Sequence, residues 1–139
     1  MRSTYLILLF IFSLGHAKPM SFKDSVDELE IVRKKISLHA TIDDKKRELK
    51  KLEDKFNTTM KEYEAESPEE GSKDEDQVNK LFFSLEPVFD MSKNKISKAE
   101  CEKAEHRIRL EDRDMTKKNP NELSMQADKA LAMLKLFCK

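Results

Sequence analysis

Apolar residues recur at helical spacing along most of this chain, and this periodicity restricts it to a helical fold. In residues 22–38 the apolar positions lie three or four residues apart: Phe22, Val26, Leu29, Val32 and Ile36. That spacing places them on one face of a helix, with Ser21 as a suitable N-cap and Asp24 three residues later. The chain also has only two glycines and no tryptophan in 139 residues, which favours helices over a sandwich or barrel. We therefore predict an all-α fold, a small bundle of four to five helices.

A second helix is predicted over residues 42–65, after a break at His39 and Ala40. Thr41 and Asp44 are suited to its first turn. Its apolar stripe repeats every seven residues: Ile42, Leu49, Phe56 and Tyr63, with Leu52 and Met60 beside them. Such a stripe could pack on the protein core or on a partner helix in a coiled coil. The intervening positions Lys45 and Thr59 are not apolar, which favours the core.

Residues 1–17 have the layout of a secretory signal peptide. Arg2 precedes an apolar run at residues 5–14, and Gly15 and Ala17 supply the small residues of a cleavage site. The apolar run of ten residues is too short to cross a bilayer, which needs roughly twenty. We predict that residues 18–139 form one domain that is secreted, extracellular and not membrane-bound once the signal is removed.

The charge balance restricts the class of partner. Charged residues make up 39% of the chain, with 27 of each sign. A nucleic-acid-binding protein usually has a basic surplus, so none is expected as a partner. Residues 67–76, SPEEGSKDED, combine Pro68 and Gly71 with carboxylates, and are predicted to be an exposed acidic connector.

Residues 81–106 carry the pattern of greatest chemical interest. An apolar run ends at Phe89, and oxygen-bearing side chains follow at alternate positions: Asp90, Ser92 and Asn94. Ile96 comes next, and Ser97 and Glu100 open a charged helical run. This order resembles the EF-hand, a helix–loop–helix unit that binds calcium through loop oxygens. The span from Asp90 to Glu100 is eleven residues, one fewer than in that family, and it lacks the family's central glycine.

The resemblance implies a set of calcium ligands. Side-chain oxygens would come from Asp90, Ser92 and Asn94, a carbonyl from Lys95, a water-mediated contact from Ser97 and two carboxylate oxygens from Glu100. The same loop carries three lysines, at positions 93, 95 and 98, but only two carboxylate ligands, Asp90 and Glu100. Even when screened by solvent, the repulsion between one of these lysines and a bound cation at contact distance is worth on the order of 1 kcal/mol. The loop is therefore predicted to be a helix corner with weak or absent calcium affinity, and an extracellular calcium site is the alternative.

A shift of 36 residues aligns this unit with the second predicted helix, placing Asp90 on Asp54 and Glu100 on Glu64. The alignment raises the alternative of a remnant second hand. Phe56 occupies its third ligand position, and the helical periodicity is uninterrupted. A continuous helix is therefore the preferred interpretation.

Two further helices are predicted after the corner. The first covers residues 98–114, with a thin apolar side made of Ala99, Cys101, Ala104 and Ile108. Pro120 prevents continuation beyond it. The second covers residues 121–137, and its apolar face consists of Leu123, Met125, Ala127, Ala130, Leu131, Met133, Leu134 and Phe137.

Cys101 and Cys138 are the only two cysteines. In an oxidising compartment such a pair predicts a disulfide, and an intermolecular bond through Cys138 is the alternative. Two cysteines and distant histidines do not give a zinc spacing, so no cofactor other than calcium is expected. Asn57, followed by Thr58 and Thr59, is an N-glycosylation acceptor in a secreted chain.

The sequence contains no recognisable catalytic motif. His39 and His106 both lie in charged helical settings, without a nucleophile motif beside them. The chain is therefore predicted to be non-catalytic and to act as a binding or structural module on a macromolecular partner that the sequence does not name.

Overall fold

The computed structural model describes residues 18–66, 73–116 and 123–138, and these contain five helices and no strand. They are α1 (Phe22–Leu38), α2 (Ile42–Glu66), α3 (Lys73–Ser92), α4 (Lys98–Thr116) and α5 (Met125–Leu134). Each helix packs against the next along the chain, and α3 also contacts α1 and α5. The prediction of an all-α bundle is confirmed. The predicted signal peptide lies outside the described residues.

Side-chain caps set the starts of α1, α2 and α5. Ser21 Oγ accepts the Asp24 N–H of α1 at 3.1 Å, and Ser124 Oγ accepts the Ala127 N–H of α5 at 3.1 Å. At α2, Thr41 Oγ1 accepts the Asp44 N–H at 3.2 Å and donates to the Asp44 carboxylate at 2.8 Å. These bonds satisfy N–H groups that have no partner within the helix. The predicted starts of α1 and α2 are correct for this reason.

α2 and α3 contribute large apolar side chains to the core. Leu49, Leu52 and Phe56 of α2 are fully buried, as are Leu81, Leu85 and Val88 of α3. Phe56 stacks on Phe82, with ring centroids 5.8 Å apart. The core interpretation of the α2 stripe is therefore confirmed, although Ile42, in the first turn, is 40% exposed. α2 runs without interruption through residues 54–64, as preferred over a second hand.

The predicted connector at residues 67–76 is wrong at its C-terminal end, because α3 already begins at Lys73. Asp74, Glu75 and Asp76 occupy the first turn. Carboxylates at this position interact favourably with the positive end of the helix dipole. An acidic run that lacks apolar residues therefore starts a helix here. The rest of the connector lies outside the described residues.

The end of α3 also differs from the prediction. The loop was expected to begin at Asp90, but α3 continues through Pro87 to Ser92. Val88, Phe89 and Met91 are all buried, with at most 3% exposure. The continued helix buries these three side chains. The free energy gained by their burial outweighs the cost of the backbone hydrogen bond that Pro87 cannot donate.

α4 and α5 complete the bundle, and α5 buries five apolar residues in the core. Ala104 and Ile108 of α4 are buried as predicted, whereas Ala99 is exposed. α5 is shorter than predicted, and it is followed by a turn at residues 135–137 that buries Phe137. Met125, predicted on the apolar face, is 47% exposed because it lies in the first turn, beyond the core. Within the described ranges, none of the helices has the length and hydropathy needed to cross a bilayer.

Candidate functional site

The corner between α3 and α4 is short. The Lys93 and Asn94 N–H groups bond back to the carbonyls of Asp90 and Met91 at 3.2 and 3.1 Å, and so end α3. Ser97 Oγ then accepts the Glu100 N–H at 3.2 Å, which caps the start of α4. The non-helical part is residues 93–97, so the expected eleven-residue loop is mostly helix. Asp90 and Ser92 belong to α3, and Glu100 belongs to α4.

Most of the predicted ligands have protein partners. Asp90 Oδ2 accepts a hydrogen bond from Arg107 Nη1 at 2.7 Å, and Asp90 Oδ1 lies 3.8 Å from Lys93 Nζ. Ser92 Oγ donates to the Phe89 carbonyl at 2.6 Å. Asn94 Nδ2 donates to the Asp90 carbonyl at 3.4 Å.

Three of the six predicted ligands meet at one groove. Asp90, Asn94 and Glu100 line a groove of about 190 Å³, whereas Ser92, Lys95 and Ser97 do not. Lys103 and Arg107 line the same groove, so its two carboxylates already face two cations. Among the described residues, no cluster of three or more His, Cys, Asp or Glu side chains is arranged to hold a metal ion.

Arg107 is the centre of the electrostatics at this site. Besides Asp90, its guanidinium contacts Glu111 Oε1 at 2.8 Å and Glu86 Oε2 at 3.7 Å. The hydrogen bonds to Asp90 and then to Glu111 raise the pKa of Arg107. Burial raises the pKa of Glu86, and the positive charge of Arg107 partly offsets that increase. The guanidinium thus lies where the sequence predicted a metal cation next to Asp90.

Sequence reasoning missed Arg107 because it lies 17 residues beyond Asp90, outside any calcium-loop pattern. A signal existed in the antiparallel geometry of a helical hairpin. Pairing the last turn of α3 with the third turn of α4 brings these two positions together. The prediction used the spacing within the loop and did not consider the spacing across the hairpin.

α2 fixes the corner from the opposite side. Lys46 Nζ donates to the Asn94 carbonyl at 2.9 Å, and Lys93 Nζ lies 3.2 Å from Glu53 Oε1. Lys45 Nζ donates to the Leu136 carbonyl at 3.0 Å, so the same turn of α2 also holds the C-terminal turn. The corner and the C-terminal turn are therefore fastened to one helix by lysine–carbonyl bonds.

The predicted disulfide between Cys101 and Cys138 is present, with Cα atoms 6.0 Å apart. It joins the first turn of α4 to the C-terminal turn. Met91 Sδ lies 3.7 Å from Cys138 Sγ, so the bridge also packs on the end of α3. The disulfide thus links α4 covalently to the C-terminal turn, and the end of α3 packs against it through Met91.

Asn57, the predicted glycan acceptor, is exposed in the middle of α2. The preceding residue Phe56 is fully buried, and Asn57 lies about 100° further around the helix, on the exposed side. A glycan at Asn57 would therefore point away from the core.

Comparisons of the chain with protein-family models, with curated proteins and with solved structures found no match.

Proposed function

We propose that this protein is a secreted, non-catalytic helical module that acts by contact with another macromolecule, and that its corner at residues 90–100 is a structural joint with weak or no calcium affinity. The observation that carries the joint interpretation is the bond of 2.7 Å between Arg107 Nη1 and Asp90 Oδ2. A bound divalent cation would have to displace this guanidinium or share a carboxylate with it. Removing one partner of such a contact leaves the other charge to be solvated again.

The fastening of the corner supports the same proposal. A calcium loop must adjust its backbone as ligands close around the ion. Here the Asn94 carbonyl is already bonded to Lys46, and Cys101 is covalently tied to Cys138. These contacts suit a rigid connection better than an adjustable cage.

The experiment for the corner is a calcium titration of the purified protein, read by calorimetry and by amide chemical shifts of residues 90–100. Glu100→Gln is the control, because it removes a predicted bidentate ligand without changing side-chain size. The expected result is no response below about 1 mM calcium, the weak end of extracellular sites. Micromolar binding that Glu100→Gln abolishes would refute the joint interpretation.

An extracellular calcium-binding protein is the second candidate. It is favoured by one observation, the meeting of Asp90, Asn94 and Glu100 at the same groove. The variant Arg107→Gln separates the two candidates, because it removes the competing cation and keeps all six predicted ligands. If calcium is a natural ligand, the unmodified protein should already bind it, and the variant should bind only somewhat more tightly.

Secretion and glycosylation are tested together. Expression of the full chain in secretory cells should give a product in the medium whose first residue is Lys18. Asn57→Gln should remove any mass that a glycosidase removes from the unmodified product. Retention of the product inside the cells, with residues 1–17 still attached, would refute the secretion proposal.

A further inference from the structure

The neutral chain folds into a bundle with charges of opposite sign at its two ends. We define the basic end as residues 33–47, 87–103 and 130–138, which contain eleven Lys or Arg and five Asp or Glu. The acidic end is residues 18–27, 61–66, 73–78, 111–116 and 123–129, with six Lys or Arg and twelve Asp or Glu. The formal charges are thus +6 and −6.

Contacts between distant segments show that each set lies at one end of the bundle. At the basic end, Lys46 of α2 bonds to the corner, and the disulfide joins the corner to the C-terminal turn. At the acidic end, the Phe22 N–H bonds to Asp74 Oδ1 at 3.4 Å, and the Ser124 N–H bonds to Asp112 Oδ2 at 3.0 Å. The charge separation therefore follows from the alternating direction of the helices.

Several lysines at the basic end face solvent without an ionic partner. Lys34, Lys95 and Lys135 are exposed, and none of them forms an ion pair within the part of the chain that the structure describes. The Lys98 side chain is 92% exposed, and within the described residues its ammonium pairs only with Glu102, at 3.9 Å. Two more of the five acids also have cationic partners, because Asp44 pairs with Arg47 and Asp90 with Arg107. The ammonium groups are therefore available to an external anion.

We propose that the basic end binds an extracellular sulfated polysaccharide. The amines come from four separate segments, the end of α1, the corner, the start of α4 and the C-terminal turn. They spread over a surface and do not converge in a pocket, which suits an extended polyanion better than a small anion. Association driven by such a surface depends on counterion release and on electrostatic steering. Both need local positive charge, and neither needs a net positive charge on the whole protein.

The choice of polyanion rests on the proposed secretion. Anionic phospholipids make the surface potential of the cytoplasmic leaflet negative. A secreted protein does not meet that leaflet. The basic end offers a membrane mainly Leu38, which is 86% exposed, and the half-exposed Ile42. Two apolar side chains form a smaller anchor than the amphipathic helices that lie in membrane interfaces.

The test measures retention of the purified secreted protein on immobilised heparin, and its affinity in solution from 50 to 300 mM salt. The basic-end variant is Lys34→Gln/Lys95→Gln/Lys135→Gln. The matched control, Lys23→Gln/Lys61→Gln/Lys73→Gln, removes three exposed lysines from the acidic end. The basic-end variant should lose at least about tenfold in affinity at 150 mM salt, and its salt slope should fall by about three. The control should change by less than about twofold, because its lysines lie about two Debye lengths or more away.

Three results would overturn the proposal. The first is no retention at 50 mM salt, and the second is an equal loss in both triple variants. The third is binding to phosphatidylserine vesicles that Leu38→Ser abolishes, without heparin binding, which would assign the end to lipid. Retention of the purified protein reports on the basic end alone. Failure of cells to export the chain would leave retention unchanged but would refute the extracellular choice of partner.

Discussion

Two parts of this bundle are held together by different forces. α2 and α3 meet through large apolar side chains, among them Phe56 and Leu85, which are fully buried. Among the α4 residues whose burial is described, only the apolar residues Ala104 and Ile108 are buried, and the helix is fastened in other ways. These are the disulfide at its start, the Arg107 ion pairs in its middle and the bond from Ser124 to Asp112 near its end. A highly charged helix thus keeps its place by covalent and polar contacts where its apolar face is too thin.

The first way to test this comparison is to remove the largest apolar side chain from the first part. Phe56→Ala should lower the free energy of unfolding by about 3–5 kcal/mol, because it leaves a cavity between α2 and α3. Phe83→Ala is the control, since Phe83 is 44% exposed and should cost less than about 1.5 kcal/mol. Urea denaturation of the three proteins measures both values. Similar losses in both variants would show that Phe56 has no special place in the core.

The second test removes the covalent fastening of α4. The double variant Cys101→Ala/Cys138→Ala should lose about 4 kcal/mol, the chain-entropy value for a loop of this length, given the separation of 37 residues. Hydrogen exchange should show α4 and the C-terminal turn losing protection before α2 and α3. A reducing agent should destabilise the unmodified protein and leave the double variant unchanged. Free thiols or a covalent dimer in the native protein would contradict the intramolecular bridge.

The apolar part was predictable from sequence and much of the polar part was not. Ser21, Thr41 and the spacing from Phe22 to Ile36 gave the limits of α1 and the start of α2, because caps and periodicity act within one helix. The predicted corner begins too early because the apolar run ends at Phe89 and oxygen-bearing residues follow from Asp90. The burial of Met91 depends on contacts with other helices, which a local pattern does not contain.

The candidate site and the charge separation show the same limit. The loop pattern identified Asp90, Asn94 and Glu100, which do meet at one groove, but it did not identify Arg107. A charge count of 27 against 27 argues against a nucleic-acid partner but carries no information on where the charges lie. Charges near positions 34, 46 and 95 lie at one end only because successive helices reverse direction. Contacts between helices cannot be identified from a local sequence pattern, because they depend on how the helices pack.

The third test concerns the ion pairs of α4. Arg107→Gln should cost about 1 kcal/mol, because its contacts are partly exposed and screened by solvent. Arg109→Gln is the matched control, since among the described residues Arg109 pairs only with Glu105 of the same helix, and it should cost less than about 0.5 kcal/mol. The difference should shrink in 1 M salt. Equal costs at low salt would remove Arg107 from the fastening of α4.

The fourth test uses alkaline pH at the acidic end, where Tyr63 of α2 donates to the Met20 carbonyl at 2.5 Å. Burial raises the pKa of Tyr63, and the negative charges of Asp74 and Glu75 add to this shift. The folded state therefore holds the phenol proton more tightly than the unfolded state. This contribution is fully present below about pH 10, the unfolded pKa, and is lost as pH rises through the folded pKa.

Tyr63→Phe is the variant that isolates this proton. Loss of the hydrogen bond should lower the free energy of unfolding by about 1 kcal/mol at pH 7. Above pH 10 the stability of the variant should fall less steeply than that of the unmodified protein. The lysines titrate in both proteins, so the difference between the two curves reports Tyr63. Parallel curves from pH 9 to 11 would contradict the shift.

The smallest effect is expected from a polar atom within the apolar part. Ser84 of α3 is 2% exposed, and its Oγ has no hydrogen-bond partner among the residues that the structure describes. Ser25 of α1 is equally buried, but its Oγ donates to the Ser21 carbonyl at 2.9 Å. Burying a hydroxyl without a partner costs free energy, whereas a satisfied hydroxyl contributes about 1 kcal/mol. Ser84→Ala should therefore raise the free energy of unfolding by up to about 1 kcal/mol, helped by the better helix propensity of alanine, and Ser25→Ala should lower it by about as much. The opposite signs matter more than the sizes, because both variants delete the same atom from a buried helix face. A loss of stability in both would mean that Ser84 Oγ has a partner in solution, such as a buried water, and that the α2–α3 part also depends on a polar contact.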